Sequence, residues 1–133
     1  MAVYASDDQF YTVMKDVFAR VVAAPDHVDS VARSNLVIRI KTTDPEAQVL
    51  IDGRQPPMEV FFGERPGAAN VEVTLPAELL HSIWLGKEST ADSFFSGKIK
   101  TQGSLLKMMK LTELFRAAER VYPDVAQEYG LPL

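Results

Sequence analysis

The stretch ADSFFSGKIKTQGS, residues 91–104, contains the change of pattern that decides the fold. Its first half predicts a short helix over residues 91–96, which ends at Gly97 because glycine readily takes the left-handed conformation found after a helix C-terminus. The run KIKTQ at residues 98–102 alternates in polarity, as a half-buried strand does. Gly103 then predicts a turn into a long final helix. A strand that comes this late in the chain must join a sheet formed by earlier strands.

The sequence before and after this stretch supplies that sheet and further helices. An apolar repeat of three and four residues predicts a first helix, which opens with the capping-box spacing of Ser6 and Gln9. Pro25 ends this helix, Gly86 caps a later one, and Pro123 stops the last. The first part of the chain is predicted to form the first helix to Pro25, a short helical turn within 26–34, and strands at 36–41, 47–51, 58–62 and 70–75. The second part is predicted to form a helix at 77–85, the short helix and strand of residues 91–102, a helix from about 104 to 122, and a loosely attached tail of ten residues.

The order of these elements predicts the α+β fold class. Four consecutive strands favour an antiparallel meander, and the strand at 98–102 has to enter the same sheet because an isolated strand lacks hydrogen-bond partners. We therefore expect one sheet with helices largely on one face. The chain has 133 residues and shows no linker or internal repeat. Residues 1–133 are thus expected to form a single domain.

Composition and charge narrow the classes of function. The chain has no cysteine, which excludes disulfides, thiolate metal sites and a cysteine nucleophile, and fits a reducing cytosol. The net charge is −4, with six basic and two acidic residues in 98–120, so that segment carries +4 and the remainder −8. An acidic protein of this kind is a poor general binder of nucleic acid. The basic segment is interpreted as a solvated helix face, with contact to an anionic headgroup or carboxylate as the alternative.

No targeting or membrane-spanning segment is recognised in the sequence. The N-terminus lacks the basic and apolar regions of a signal peptide. No apolar run approaches the ~20 residues that span a bilayer. We therefore expect a cytoplasmic protein.

Patterns of catalytic or metal-binding residues are scarce. His27 and His81 are far apart and in no ligand spacing, and His81 on an apolar helix is interpreted as a side chain at the edge of the core. No Gly-x-Ser-x-Gly elbow and no Gly-x-Gly-x-x-Gly loop occurs. The run from Gly86 to Ser89 lacks the earlier glycine and the Lys-Ser/Thr pair of a phosphate loop. We predict no catalytic residue, no metal site and no cofactor, so a small hydrolase or transferase is the least favoured class.

Three neighbouring segments carry more apolar side chains than one packing face consumes. The helix at 77–85 has two apolar lines, and the short helix adds Phe94 and Phe95. The final helix confines its charges to one stripe, formed by Lys107, Lys110, Glu113, Arg116 and Arg120. The helices could pack on each other, pack on a second copy of the chain, or line a cavity for an apolar ligand. The adjacent Met108 and Met109 suit a cavity, because methionine adapts to variable shapes, although methionine is also common in cores.

Three segments of the sequence, taken in their order along the chain, resemble the sterol carrier protein 2-like family. The stretch at residues 91–104 is similar to a segment of the family that has a short apolar helix, a Ser/Ala-Gly-Lys turn, an alternating strand, and a glycine that leads into a long apolar helix. The runs VEVTLPAELLHSIWLGK, residues 71–87, and NLVIRIKTTDPEAQVLIDGR, residues 35–54, resemble the strands and the helix that precede them in the family. The resemblance covers residues 36–118.

The resemblance implies a five-stranded sheet, mixed but mainly antiparallel, covered by helices, with a hydrophobic tunnel between sheet and helices. It implies non-catalytic intracellular binding or transfer of a lipid, such as a fatty acid, a fatty acyl-CoA, a phospholipid or a sterol. The protein would be a monomer or homodimer that touches membrane surfaces transiently and binds no nucleic acid. The alternative is an interaction or accessory module that dimerises through the same apolar helices and has no ligand of its own.

A lipid in such a tunnel would lie against the apolar helices. Lys98, Lys100 or Lys107 could meet its carboxylate or phosphate at the mouth. The predicted lining residues are Leu80, Ile83, Trp84, Phe94, Phe95, Leu105, Met108, Met109, Leu111 and Phe115. For each of them the simpler interpretation is core packing.

Overall fold

A computed structural model describes residues 3–23, 35–55, 58–103 and 105–133, without the side chains of residues 105, 106 and 108. The helical turn predicted within 26–34 lies outside the described residues. The described elements, in chain order, are α1 (Asp7–Ala23), β1 (Val37–Thr43), β2 (Ala47–Asp52), β3 (Glu59–Phe62), β4 (Val71–Pro76), α2 (Ala77–Trp84), α3 (Thr90–Phe95), β5 (Lys100–Gln102) and α4 (Leu105–Glu128).

The five strands form one mixed sheet in the order β3-β2-β1-β4-β5. Three of the four strand pairs are antiparallel, while β4 runs parallel to β1. The predicted α+β class and the mixed, mainly antiparallel sheet are thus confirmed. The expected four-strand meander is wrong at β4, which lies on the far side of β1 instead of beside β3.

The connection between β3 and β4 explains this departure from a meander. Residues 63–70 must pass β2 and β1 to reach the position of β4. Arg39 of β1 holds the connection by donating hydrogen bonds to the carbonyl oxygens of Arg65 and Gly67, at 3.0 and 2.8 Å. These contacts are distant in sequence, so a local pattern of alternating residues does not reveal them.

The two faces of the sheet have opposite chemistry. In β1, Ile38 and Ile40 are buried, whereas the alternate residues Arg39 and Lys41 are partly exposed on the other face. Both cations pair with Glu72 on β4, at 3.3 and 3.1 Å. The sheet therefore presents one apolar face to a core and one polar face to solvent and the 63–70 connection.

Helices α1, α2 and α4 pack on the apolar face of the sheet and on each other. The predicted cap of α1 is present, because Ser6 Oγ accepts a hydrogen bond from the backbone N–H of Gln9 at 3.1 Å. The Gln9 side chain reaches back to the N–H of Ala5 at 2.6 Å. One continuous hydrophobic core thus lies between the three helices and the sheet.

The C-terminal segment differs from the sequence prediction. Helix α4 continues through Pro123 to Glu128, whereas a stop at Pro123 and a loose tail were expected. The residues after the proline anchor the helix, since Val125, Ala126 and Leu131 are buried. An internal proline costs a helix about 3 kcal/mol, and this burial offsets that cost.

Candidate functional site

Helix α2 carries three of the predicted lining residues on its buried side. It starts directly after Pro76 and ends at Trp84. Gly86, just past this end, has a φ of 79°, and its N–H donates a hydrogen bond to the Ile83 carbonyl oxygen at 3.0 Å. The next N–H, of Lys87, donates to the Ser82 carbonyl oxygen at 2.9 Å, which completes a Schellman motif. The predicted cap at Gly86 is confirmed. Buried residues on this helix that belong to the predicted lining are Leu80, Ile83 and Trp84.

Helix α3 separates the two adjacent phenylalanines. Ser89 caps its start through a hydrogen bond from the N–H of Asp92 at 3.2 Å, and Gly97, with a φ of 82°, ends it. Neighbouring residues on a helix point about 100° apart, and the core lies on the Phe94 side of α3. Phe94 is half-buried against the core, while Phe95 is 89% exposed.

Helix α4 packs against α2 and carries five of the predicted lining residues. Leu111 and Phe115 are buried, and Met109 is 62% exposed. The side chains of Leu105 and Met108, which were also predicted to line the tunnel, lie outside the described part of the chain. The predicted polar stripe of α4 is confirmed as the exposed or partly exposed side of the helix.

The structure therefore brings five of the predicted lining residues into one cluster and leaves two in solvent. Trp84 and Phe115 meet edge to face, with ring centroids 5.6 Å apart. This packing of α2 on α4 accounts for much of the apolar surplus seen in the sequence. The residues that share the buried cluster are Leu80, Ile83, Trp84, Leu111 and Phe115. The exposed ones are Phe95 and Met109. A tunnel between these helices and the sheet stays a prediction.

A buried polar network crosses the core next to this cluster. His81 Nδ1 lies 2.5 Å from the Tyr122 hydroxyl oxygen, and His81 Nε2 lies 2.6 Å from the carbonyl oxygen of Pro132. The hydroxyl of Tyr4 bonds in turn to that of Tyr122. A carbonyl can only accept, so Nε2 carries the proton, and in a neutral imidazole Nδ1 then accepts from Tyr122. The network joins the N-terminal segment, α2, α4 and the C-terminal tail.

Burial keeps the members of this network uncharged. Desolvation lowers the pKa of His81, while its hydrogen bond to Pro132 acts in the opposite direction. Desolvation likewise raises the pKa values of Tyr4 and Tyr122 above the ordinary range. The interpretation of His81 as a core residue agrees with its burial. Its partners Tyr122 and Pro132 were missed because they are 41 and 51 residues away in the sequence.

The lysines predicted at the mouth are on the surface. Lys98, Lys100 and Lys107 are exposed, and Lys98 pairs with Glu88 at 3.6 Å. This arrangement leaves them accessible to an anionic group in solution or on a membrane. Their contact with a lipid headgroup stays a prediction.

A separate cleft of about 400 Å³ lies near the turn between β1 and β2. Its lining is largely polar and includes none of the predicted lipid-contacting residues, so it does not suit an acyl chain. The residues around it are Tyr11, Lys41, Thr42, Thr43, Glu46, Ala47, Gln48, Glu64 and Thr74.

The described residues contain no group of three or more His, Cys, Asp or Glu side chains that could hold a metal ion. In the same part of the chain, none of the helices has the length and apolar character needed to cross a bilayer.

Comparison with known proteins identifies the family. The SCP-2 sterol transfer family matches residues 14–116. The fold is similar to the sterol carrier protein domain 2 of Helicoverpa armigera, with a TM-score of 0.62, 25% identity and coverage of 80% of this chain and 87% of that one. It is also similar to palmitated SCP2L2 from Aedes aegypti, with a TM-score of 0.56, 27% identity and coverage of 78% and 91%.

A third structure supports the fold alone. The apo form of sterol carrier protein 2 from Yarrowia lipolytica has a TM-score of 0.62 at 19% identity, with coverage of 84% of this chain and 90% of that one. Domains of this kind bind or transfer lipids and are generally non-catalytic. The predicted family is confirmed, and the chain belongs to the SCP-2 sterol transfer family.

Proposed function

We propose that this protein is a non-catalytic carrier that binds one lipid in an apolar tunnel between its helices and the sheet. The observation that supports this most is the apolar cluster formed by α2 and α4 in a chain of this family. The Aedes aegypti relative, which is described as palmitated, makes a long-chain fatty acid the first ligand to test. Fatty acyl-CoA, phospholipids and sterol-like molecules belong to the same proposal.

The hydrophobic effect is large enough to hold such a ligand without many polar contacts. Each buried CH₂ group contributes about 0.8 kcal/mol, so six of them supply roughly 5 kcal/mol. In the described conformation, the side chains of Trp84 and Phe115 are in contact. We propose that the acyl chain separates the side chains of α2 and α4 and takes the place of contacts such as this one. Exposed Met109 would then lie at the rim of the tunnel.

The exposed end of α3 suits contact with a membrane during loading or release. Phe95 projects into solvent, and the cation Lys98 follows three residues later. An aromatic side chain beside lysines is the combination that binds the interface of an anionic bilayer. We propose a transient contact there, in a cytoplasmic protein whose lack of cysteine is compatible with a reducing compartment.

The second candidate is a module that dimerises through the same exposed apolar side chains. Phe95 and Met109 are the observation that favours it, since large exposed apolar residues often mark protein contacts. Light scattering after size exclusion separates the two functions. A delipidated monomer at high concentration argues against dimerisation, whereas a stable dimer that binds no lipid supports it.

Titration of the delipidated protein with palmitate tests the proposed function. We expect saturable binding at one palmitate per chain, measured by calorimetry below the micelle-forming concentration. Palmitoyl-CoA, a phospholipid and a sterol are titrated in parallel to define the headgroup. Failure of all four to bind would reject the lipid-carrier function.

A further inference from the structure

Two buried polar atoms beside the proposed tunnel have no hydrogen-bond partner within the described part of the chain. They are Nε1 of Trp84 on α2 and Oγ of Ser93 on α3. Each of these residues is only 1% exposed. An unpaired buried donor costs about 1–3 kcal/mol, and native proteins rarely carry one without a reason.

Other buried polar side chains in the described residues are paired, unlike those of Trp84 and Ser93. Thr42 donates to the carbonyl oxygen of Pro45 at 2.9 Å. Both ring nitrogens of His81 are occupied, and the Tyr122 hydroxyl bonds to His81 and to Tyr4. The fold thus satisfies its buried polar groups elsewhere, and the two unpaired atoms both belong to the helices next to the proposed ligand.

Aromatic rings pack around the indole of Trp84. Its indole ring contacts the rings of Phe18, Phe115 and Tyr122, with centroids 6.2, 5.6 and 5.4 Å away. Two of these rings are hydrocarbon, and the hydroxyl of the third is already engaged in the His81 network. None of the described residues supplies a hydrogen-bond acceptor to Trp84 Nε1, which leaves this donor available to a ligand.

Ser93 is held firmly by its backbone while its side chain stays unpaired. Its carbonyl oxygen accepts hydrogen bonds from the N–H groups of Lys98 and Ile99, at 3.0 and 3.2 Å. The Ser96 hydroxyl donates to the same carbonyl oxygen at 3.3 Å. These bonds hold the backbone of the residue, and its hydroxyl is a second buried group without a partner among the described residues.

We propose that Trp84 Nε1–H and Ser93 Oγ–H donate hydrogen bonds to the acyl carbonyl oxygen of the bound lipid. The polar end of the ligand would then lie under α2 and α3, and not at the lysines on the surface. This inference rests on the proposed lipid-carrier function and narrows its ligand to acyl lipids.

The carbonyl is uncharged, as in an ester or a protonated carboxyl. Both donors are neutral, and none of the fully buried side chains in the described residues is a lysine or arginine. An ionised carboxylate without a buried cation would be costly there. An ester carbonyl carries no such cost and still satisfies both donors.

A competition between two ligands of similar length tests this inference. The delipidated protein is incubated with equal amounts of methyl palmitate and heptadecane, which differ in the ester group, and the bound molecules are extracted and measured by gas chromatography. The wild type should retain mainly the ester. Losing one such hydrogen bond corresponds to roughly a tenfold change, so W84F should lower the ester-to-alkane ratio about tenfold.

Two further variants make the result specific. S93A, which changes one atom and leaves the backbone bonds intact, should also lower the ratio. F18L removes an aromatic neighbour of Trp84 without removing a donor, and should leave the ratio unchanged. In the free protein, S93A should melt at the same temperature as the wild type or above it, because it deletes an unpaired group.

The outcomes separate this inference from the function on which it rests. If the wild type retains lipid but W84F and S93A keep its ester-to-alkane ratio, the carrier function stands and the hydrogen-bonded carbonyl is rejected. If S93A lowers the melting temperature markedly, its hydroxyl has a partner in the free protein and the inference fails. If the wild type retains neither ligand, and also binds none of the four lipids titrated above, both fail together.

Discussion

His81 and Tyr122 form a buried hydrogen bond between α2 and α4, with 2.5 Å from Nδ1 to the hydroxyl oxygen. Tyr4 and Pro132 extend this bond to both ends of the chain. The wall of the proposed tunnel is therefore held by a polar network as well as by apolar packing. This network makes α2 sensitive to changes at residues that do not contact the ligand.

Removal of the Tyr122 hydroxyl should destabilise the protein. Y122F leaves the acceptor nitrogen of His81 and the Tyr4 hydroxyl without their partner, at a cost of about 1–3 kcal/mol in the free energy of unfolding. Urea denaturation measures this loss. Y129F is the matched control, because the Tyr129 hydroxyl bonds to Asp16 at an exposed site, at 3.2 Å. Equal losses in the two variants would contradict the importance of the buried network.

The stability of the protein should fall as the pH drops below about 6.5, the ordinary pKa of histidine. Burial lowers the pKa of His81 in the folded protein, so below that pH the unfolded chain binds more protons than the folded one. The free energy of unfolding therefore decreases on acidification. Urea midpoints at pH 7.5 and 5.5 measure the effect.

A variant without the imidazole provides the control for this pH dependence. H81Q should show a smaller change between the two pH values, since it removes the titrating group. If the wild type and H81Q lose the same stability on acidification, other groups are responsible.

Phe95 should contribute to membrane binding and not to the stability of the folded protein. F95S removes an almost fully exposed ring, so the melting temperature should change little while binding to anionic phospholipid vesicles weakens severalfold, as measured by cosedimentation. F94S is the contrasting variant, because Phe94 packs against the core and its loss should lower stability. Unchanged vesicle binding by F95S would exclude this surface.

A charge at position 109 should impair lipid binding without unfolding the protein. Met109 is largely exposed, so M109E is tolerated by the fold, but its carboxylate would lie at the rim beside an apolar chain. We expect the affinity for palmitate to fall at least about tenfold, which corresponds to 1.4 kcal/mol, by calorimetry. R116E, on the exposed stripe of the same helix, should bind normally. A variant M109E that unfolds before it loses ligand would place Met109 in the core.

Much of the fold could be predicted from the sequence, because its signals are local. Alternation over 36–41 and the glycine caps at Gly86 and Gly97 depend on neighbouring residues alone. The errors at β4 and Pro123 have a different origin. In both places, contacts between distant segments outweigh the local preference.

The candidate site could be predicted only in outline. The excess of apolar residues pointed to the helices at 77–85 and 104–122, but it did not tell which of Phe94 and Phe95 is exposed. That depends on how α3 is oriented against the core. The partners of His81 and the unpaired N–H of Trp84 depend on three-dimensional packing and have no signature in the sequence.

Native mass spectrometry of the protein purified without detergent tests lipid binding most directly. We predict a population with one additional mass per chain, which solvent extraction releases and identifies as an acyl lipid. A protein that is purified empty, and stays empty after incubation with fatty acid, acyl-CoA, phospholipid and sterol, would contradict the proposal. The apolar side chains of α2 and α4 would then form a core and no binding site.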